Sequence, residues 1–423
     1  MGIKKAIKNV VGPEMYSKLR VVKSNIKYFR AMQNASKLVI QSNKWEHFLT
    51  LSKPGKHLFF GYYDIKQFNY DETKVLVTEI PVGADPLKSK ALLQTYSLET
   101  GEYNVIGETA AWCWQQGARL RWHPTMPQCV VYNDVEDGKY VARLVDAEND
   151  KRLKTYPRAL YDISSDGRIG LSLNYSRLQR LRPGYGYSIL PELSKDAFVP
   201  EEDGIFSVDL ESDEVKRIIS LKQLVMLSPE SEKMWNYINH ISFSPNGKLF
   251  MFFHLWTIAS GARWKNKLYV ANVDGSGLHC LESDEVISHY CWISDDELLA
   301  TTVGFDDPIK KFIVYDIKNH TKRILKSEHL TKDGHPAMMG DKVHFISDTY
   351  PQSDCMQHLF IESIDRSGAD YEPICTVFSD PRMFGDKRCD MHSRFSITDQ
   401  YITFDSTFQN KQRSIVILKM NNR

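Results

Sequence analysis

From about residue 46 onward, short apolar alternations recur with Asp-Gly, Asn-Gly or Asp-Glu turns between them, grouped in fours. That pattern constrains the fold more than anything else in the chain. In the clearest unit, residues 240–254 read as strand, Asn246-Gly247 turn and strand, and residues 267–281 repeat the pattern around Asp274-Gly275. Further copies open near His57, Trp112, Arg158, Val286, Leu330 and Arg388, and the third carries an insertion around Arg182-Pro183-Gly184-Tyr185. Four strands per repeat at a period of roughly 40–50 residues is what a β-propeller blade requires. The expected fold is all-β, a seven-bladed β-propeller with an N-terminal helical extension. The last repeat supplies only three strands, and the segment 46–52 is placed to donate the fourth, joining the two ends of the chain and removing an exposed sheet edge.

The division expected is a basic helical extension over residues 1–45 and the propeller over residues 46–423. Within the extension, Ile3, Ile7, Val10, Leu19, Val22, Ile26 and Phe29 fall near helical spacing, interrupted at Gly12-Pro13. Nine Lys or Arg stand between Lys4 and Lys37 against Glu14 alone. Two readings stay open: a solvated helix packed on the propeller, or a basic amphipathic segment touching anionic lipid or a membrane-bound glycan-assembly partner.

The 423 residues carry a net charge of +1, so no global field draws the chain to nucleic acid. The seven cysteines are odd in number and irregularly spaced with no CxxC pair, as reduced intracellular thiols are. No run approaches the ~20 apolar residues of a membrane span, and the N-terminus lacks the apolar core of a secretory signal. The expected location is cytoplasmic, peripheral at the inner membrane surface if the extension binds there.

Four histidines occupy one register of the repeat. His240, His289, His335 and His392 each stand three residues before a large apolar side chain at the opening of a blade, and Arg119 holds the same place before Trp122. Closing the ring brings equivalent positions together around one axis. Asp333 and Asp390 lie two residues upstream of two of the histidines, and neutral imidazoles with a carboxylate suit Mn, Fe, Ni or Zn. The bland alternative is a polar channel lining that satisfies strand ends and ordered water.

At these residues the chain resembles the oligogalacturonate lyases. The likeness is carried by His254 to Asn272, by Asp274-Gly275-Ser276-Gly277, by Ser288-His289-Tyr290-Cys291-Trp292-Ile293, and by Gly385 to His392 with Phe395. The resemblance implies a seven-bladed propeller that cleaves short uronic-acid chains by metal-assisted β-elimination. It puts His289 and His392 at metal-ligand positions and His254 at that of a catalytic histidine. The family's first-histidine position holds Asp390 here, and its glutamine position holds Lys387 or Arg388. An Asp serves a hard cation such as Mn²⁺, whereas Lys and Arg carry donors only. The family's basic arginine has no motif here; Arg263 is the arginine nearby. The chain also resembles propellers associated with bacterial surface-polysaccharide gene clusters.

The site expected from these residues has His289, His335, Asp390 and His392 around a divalent metal, Mn²⁺ first, with a metal-free site built on Arg388 and Lys387 as the alternative. His254 or His240 would be the base, with Arg263 beside them. Arg119, Arg177, Arg180, Arg182, Tyr185 and Arg388 would hold an acidic oligo- or polysaccharide, because guanidinium groups suit carboxylates and tyrosines stack on sugars. Tyr62-Tyr63-Asp64 and Trp112, Trp114, Gln115 and Gln116 are placed to face the channel mouth, while Cys113, Cys291 and Cys389 read as buried fillers. The leading function is a carbohydrate-active lyase. The competing one is a non-catalytic propeller scaffold that binds glycan or partner proteins in surface-polysaccharide biosynthesis. A glycoside hydrolase or transferase would need two facing carboxylic acids, and no such pair stands out.

Overall fold

In the computed structural model the described residues are 13–304, 310–365, 370–409 and 411–421. Ile3, Ile7 and Val10 of the helical pattern lie outside them. Seven sheets follow one another in chain order, each an antiparallel meander, and together they form a seven-bladed β-propeller. The innermost strands are Lys56–Phe59, Arg121–Trp122, Asp162–Ile163, Trp235–Phe243, Ile287–Trp292, Ala337–Met338 and Arg394–Phe395, in blades 1 to 7. Blade 7 takes its outermost strand, Trp45–Leu51, from the N-terminal side of the chain, paired from Trp45↔Met420 to Leu51↔Ile415. Just before it, Leu38–Ile40 adds a fifth strand to the outer edge of blade 6.

The middle strands show why these segments pair as they do. Leu249–Thr257 is buried along nearly its whole length, because a strand flanked by blades on both sides has no solvent face. In the outermost strand Val215–Ser220 only Ile219 is buried. Gly247 sits at φ +70° in the hairpin where a Cβ would be strained. Apolar clusters fill the seams between sheets: Leu58, Val75, Val77, Ile415 and Ile417 between blades 1 and 7, and Leu299, Phe312, Val314, Phe345 and Phe360 between blades 5 and 6. Each such side chain contributes about 1.5–3 kcal/mol on burial.

Among the described residues three α-helices decorate the ring: α1 (Pro13–Arg30), α2 (Tyr175–Leu181) and α3 (Leu221–Met226). The insertion in blade 3 starts with α2, capped by Asn174 accepting from the Arg177 N–H, and returns over it through Tyr185 and Tyr187. A Cβ at Gly186 would lie 2.1 Å from the Tyr175 carbonyl oxygen, so only glycine permits that return. Tyr187 then stacks on Tyr175, centroids 4.3 Å apart, and Tyr185 is carried to the end of the central tunnel.

Candidate active site

The four histidines that share a register converge at one end of the tunnel. His289 and His335 have ring centroids 4.1 Å apart, and His335 and His392 4.6 Å. His240 joins through Tyr62, whose ring lies 5.3 Å from it and 4.7 Å from His392. All four imidazoles are buried, at most 1% exposed. The backbone aims two of them by an unusual route: His240 and His392 have φ of +56° and +47°, as does Arg119 at +53°. A left-handed residue, just before the strand at Arg119 and His392 and at the bulge between Asn239 and Ser242 for His240, redirects its side chain at a cost of about 1 kcal/mol.

The Nδ1 atoms of three rings have fixed partners. His392 Nδ1 lies 2.8 Å from the Gly61 carbonyl oxygen, which can only accept, so Nδ1 carries the proton. His335 Nδ1 lies 2.8 Å from Asp348 Oδ1, and His289 Nδ1 3.1 Å from Asp333 Oδ1. The Nε2 atoms of all four rings are buried without a hydrogen-bond partner. An imidazole whose Nδ1–H is held by a carboxylate or carbonyl presents an Nε2 lone pair, which is how metal-ligating histidines are oriented. Ligand atoms of His335, Asp390 and His392 all lie within 4.8 Å of one another. Orphaned Nε2 atoms beside a buried carboxylate are a donor set that fits a divalent cation.

Electrostatics separates the rings. Burial pulls His240 and His392 well below the ordinary imidazole range, helped by Arg182 for the first and His335 for the second. Burial and His335 also lower His289, against Asp333. For His335, burial is outweighed by Asp348 and its hydrogen bond, and its pKa is raised. Arg388 stands on Asp390, Nη2 to Oδ2 2.9 Å, and donates to the Tyr185 hydroxyl at 2.8 Å. Burial would lower the Arg388 pKa, but Asp390 and Tyr185 hold it well above its usual value. Arg182 lies over the rings of Tyr185 and Trp264.

The other residues singled out in the sequence lie elsewhere or are engaged internally. Arg119 pairs with Asp64 in two hydrogen bonds of 2.9 and 3.1 Å and donates to the Tyr161 carbonyl. Arg177 is held by Glu192 and the carbonyls of Asn236, Ala197 and Phe198, and Arg180 by Glu192. His254 donates Nε2–H to Asn236 Oδ1 and has Trp256 and Tyr269 as ring neighbours, not the four converging imidazoles. Burial, with Lys267, drops its pKa to about 3. Arg263 is exposed on the loop between two strands of blade 4. Lys387 is also exposed, near Trp114.

Tyr350 and Asp348 belong to the cluster and carry no motif. Tyr350 lies 5.6 Å from the His335 ring, and burial and Asp390 push its phenol up. Their placement follows from antiparallel pairing: Ala337 opposite Ile346 sets Asp348 beside His335, so the end of each second strand shares the mouth with the start of the first. Reading that register would have found them.

The fold and this cluster define a seven-bladed propeller with an imidazole–carboxylate centre at one tunnel mouth. No protein-family model matches the sequence, and no curated protein sequence matches it. Among solved structures, an oligogalacturonate lyase in complex with manganese superposes with a TM-score of 0.63 at 15% identity, covering 91% of this chain and 98% of that one. The oligogalacturonate lyase of Vibrio parahaemolyticus gives 0.63 at 14% identity, covering 90% and 98%. Kuenenia stuttgartiensis hydrazine synthase gives 0.51 at 9%, covering 88% and 97%. At such identities the likeness is one of fold, and a ring shared by a lyase and a hydrazine synthase does not by itself dictate chemistry.

Proposed function

We propose that this protein is a carbon–oxygen lyase that cleaves uronic-acid-containing oligo- or polysaccharide by β-elimination at the histidine cluster. The observation that carries the reading is the set of buried, unpartnered Nε2 atoms gathered beside Asp390 under a guanidinium. β-Elimination takes the proton next to a carboxylate and expels the glycosidic oxygen, so negative charge on that carboxylate must be stabilised as it grows. A divalent cation such as Mn²⁺ held by His335, Asp390 and His392, with His289 alongside, would supply that stabilisation as a Lewis acid.

The protein's own groups do the rest. Arg388, whose side chain is 32% exposed, and Arg182 orient the uronate carboxylate, with Tyr185 packing on the sugar. His240 is neutral at pH 7 because of its burial and Arg182, and its unpartnered Nε2 accepts the proton. Tyr62, whose buried hydroxyl has no partner and whose pKa is raised by burial and Tyr63, stays protonated and donates to the leaving oxygen. The carbon–hydrogen bond breaks, a carbon–carbon double bond forms, and the carbon–oxygen bond breaks with its electrons on the leaving group. His240 is preferred to His254 because its ring neighbours belong to the cluster.

The burial of all four imidazoles favours one second reading: a non-catalytic propeller that binds glycan or partner proteins. One experiment separates the two. A panel of acidic oligouronides is incubated with Mn²⁺-supplemented protein and followed for the ultraviolet-absorbing unsaturated uronide. The lyase reading expects product that is lost in Asp390→Asn and His335→Ala. Absence of product across the panel, with no metal bound on elemental analysis, leaves the scaffold.

A further inference from the structure

Helix α1 is mounted on the propeller with its amphipathic sense reversed. Its polar side makes the contacts: Arg20 lies over the Phe384 ring, Lys27 donates to the Gln352 carbonyl, Ser24 is buried, and Tyr28 packs edge-on to Phe378 under Arg382. The apolar side points outward. Met15, Leu19, Val22, Ile26 and Phe29 fall within roughly 80° of arc at 100° per residue, and all are exposed, Phe29 at 68%. Met32, just past the helix, extends the stripe at 56%. A continuous apolar stripe turned to water marks an interaction surface.

Charge identifies what covers it. The exposed residues Lys23 and Arg30 flank the stripe, and across residues 1–45 Glu14 is the sole acid. A second copy of the helix would therefore set cation against cation along the seam. An anionic bilayer meets both features at once, accepting the apolar stripe at the acyl boundary and the cations at its headgroups. Among the described residues no helix is long and apolar enough to cross a membrane, which leaves adsorption in the interface plane.

We infer that α1 is a membrane-adsorbing helix that docks the propeller on anionic phospholipid. Arg20, on the propeller-facing side of the helix, meets the loop that carries Gly385 and leads to Arg388, so the docked helix is in contact with the loop that bears that arginine.

The test uses the full chain and sucrose-loaded vesicles of phosphatidylcholine alone or mixed with phosphatidylglycerol, with light scattering on the same samples. Expected is co-sedimentation with the anionic vesicles only, abolished by Leu19→Glu with Ile26→Glu and weakened roughly thirtyfold by Lys23→Gln with Arg30→Gln. A Phe29→Trp reporter should shift its emission to the blue on the anionic vesicles. Far-UV circular dichroism of each variant checks that it stays folded. Equal binding to neutral vesicles, no binding at low salt, or a dimer that the Leu19→Glu, Ile26→Glu pair dissolves would each overturn the inference, the last in favour of a second copy.

Discussion

Two buried polar clusters at the central axis are differently finished. In one, Arg119 pairs with Asp64, Tyr290 donates to the same carboxylate, and the Tyr161 carbonyl accepts two further guanidinium protons. In the other, His240, His289, His335 and His392 keep their Nε2 atoms bare. Buried polar atoms ordinarily find partners, so a satisfied cluster reads as structure and an unsatisfied one as a place for something else. The lesson is to weigh a buried residue by what its atoms still lack, not by its type.

The largest effect expected from that contrast is on stability. Arg119→Met strands Asp64 in the interior and should cost about 3–5 kcal/mol in urea unfolding, whereas His240→Ala, which removes a weakly partnered ring, should cost far less. Equal losses would erase the distinction between the two clusters. Next, Mn²⁺ at a hundredfold excess over its Kd should raise wild-type stability by about 2.7 kcal/mol, and Asp390→Asn should abolish the gain; calorimetry with and without the ion measures both.

Acid sharpens the comparison. His254 titrates near 3 in the folded protein and near 6.5 when unfolded, so the unfolded chain takes up its proton first as pH falls. Stability is therefore lost from about pH 6.5 downward, by up to about 1.4 kcal/mol per pH unit for this group. His254→Gln, which keeps a donor for Asn236, should flatten the fall between pH 7 and 5. His335 works the other way: its raised pKa adds stability as pH drops, so His335→Ala should steepen the fall. Smallest of all, Arg180→Ala should cost less than about 1 kcal/mol, because Arg177 still pairs with Glu192, and should leave uronide turnover unchanged.

The ring was legible because hairpins are local. Asn246-Gly247 and Asp274-Gly275 announce their turns within a few residues, and seven such units leave few architectures. The four histidines were legible because a repeat carries its own register. What stayed hidden was partnership between distant segments. Arg177 and Arg180 look like free cations until Glu192 folds back on them, and Arg119 looks like a ligand for substrate until Asp64 arrives from another blade. Gly61 offers His392 a backbone oxygen from 331 positions away, which no composition or spacing could announce. Tyr62 was visible as an aromatic near a strand and not as the ring that joins His240 to His392.

The positive φ angles shared by Arg119, His240 and His392 make those places interchangeable sockets. Histidine, asparagine and aspartate tolerate that conformation better than most residues, so an exchange there alters what the tunnel presents while the strand keeps its path. Arg119→His would offer a fifth imidazole with Asp64 already waiting as its carboxylate, and the same ring of sheets would hold a different inventory of donors.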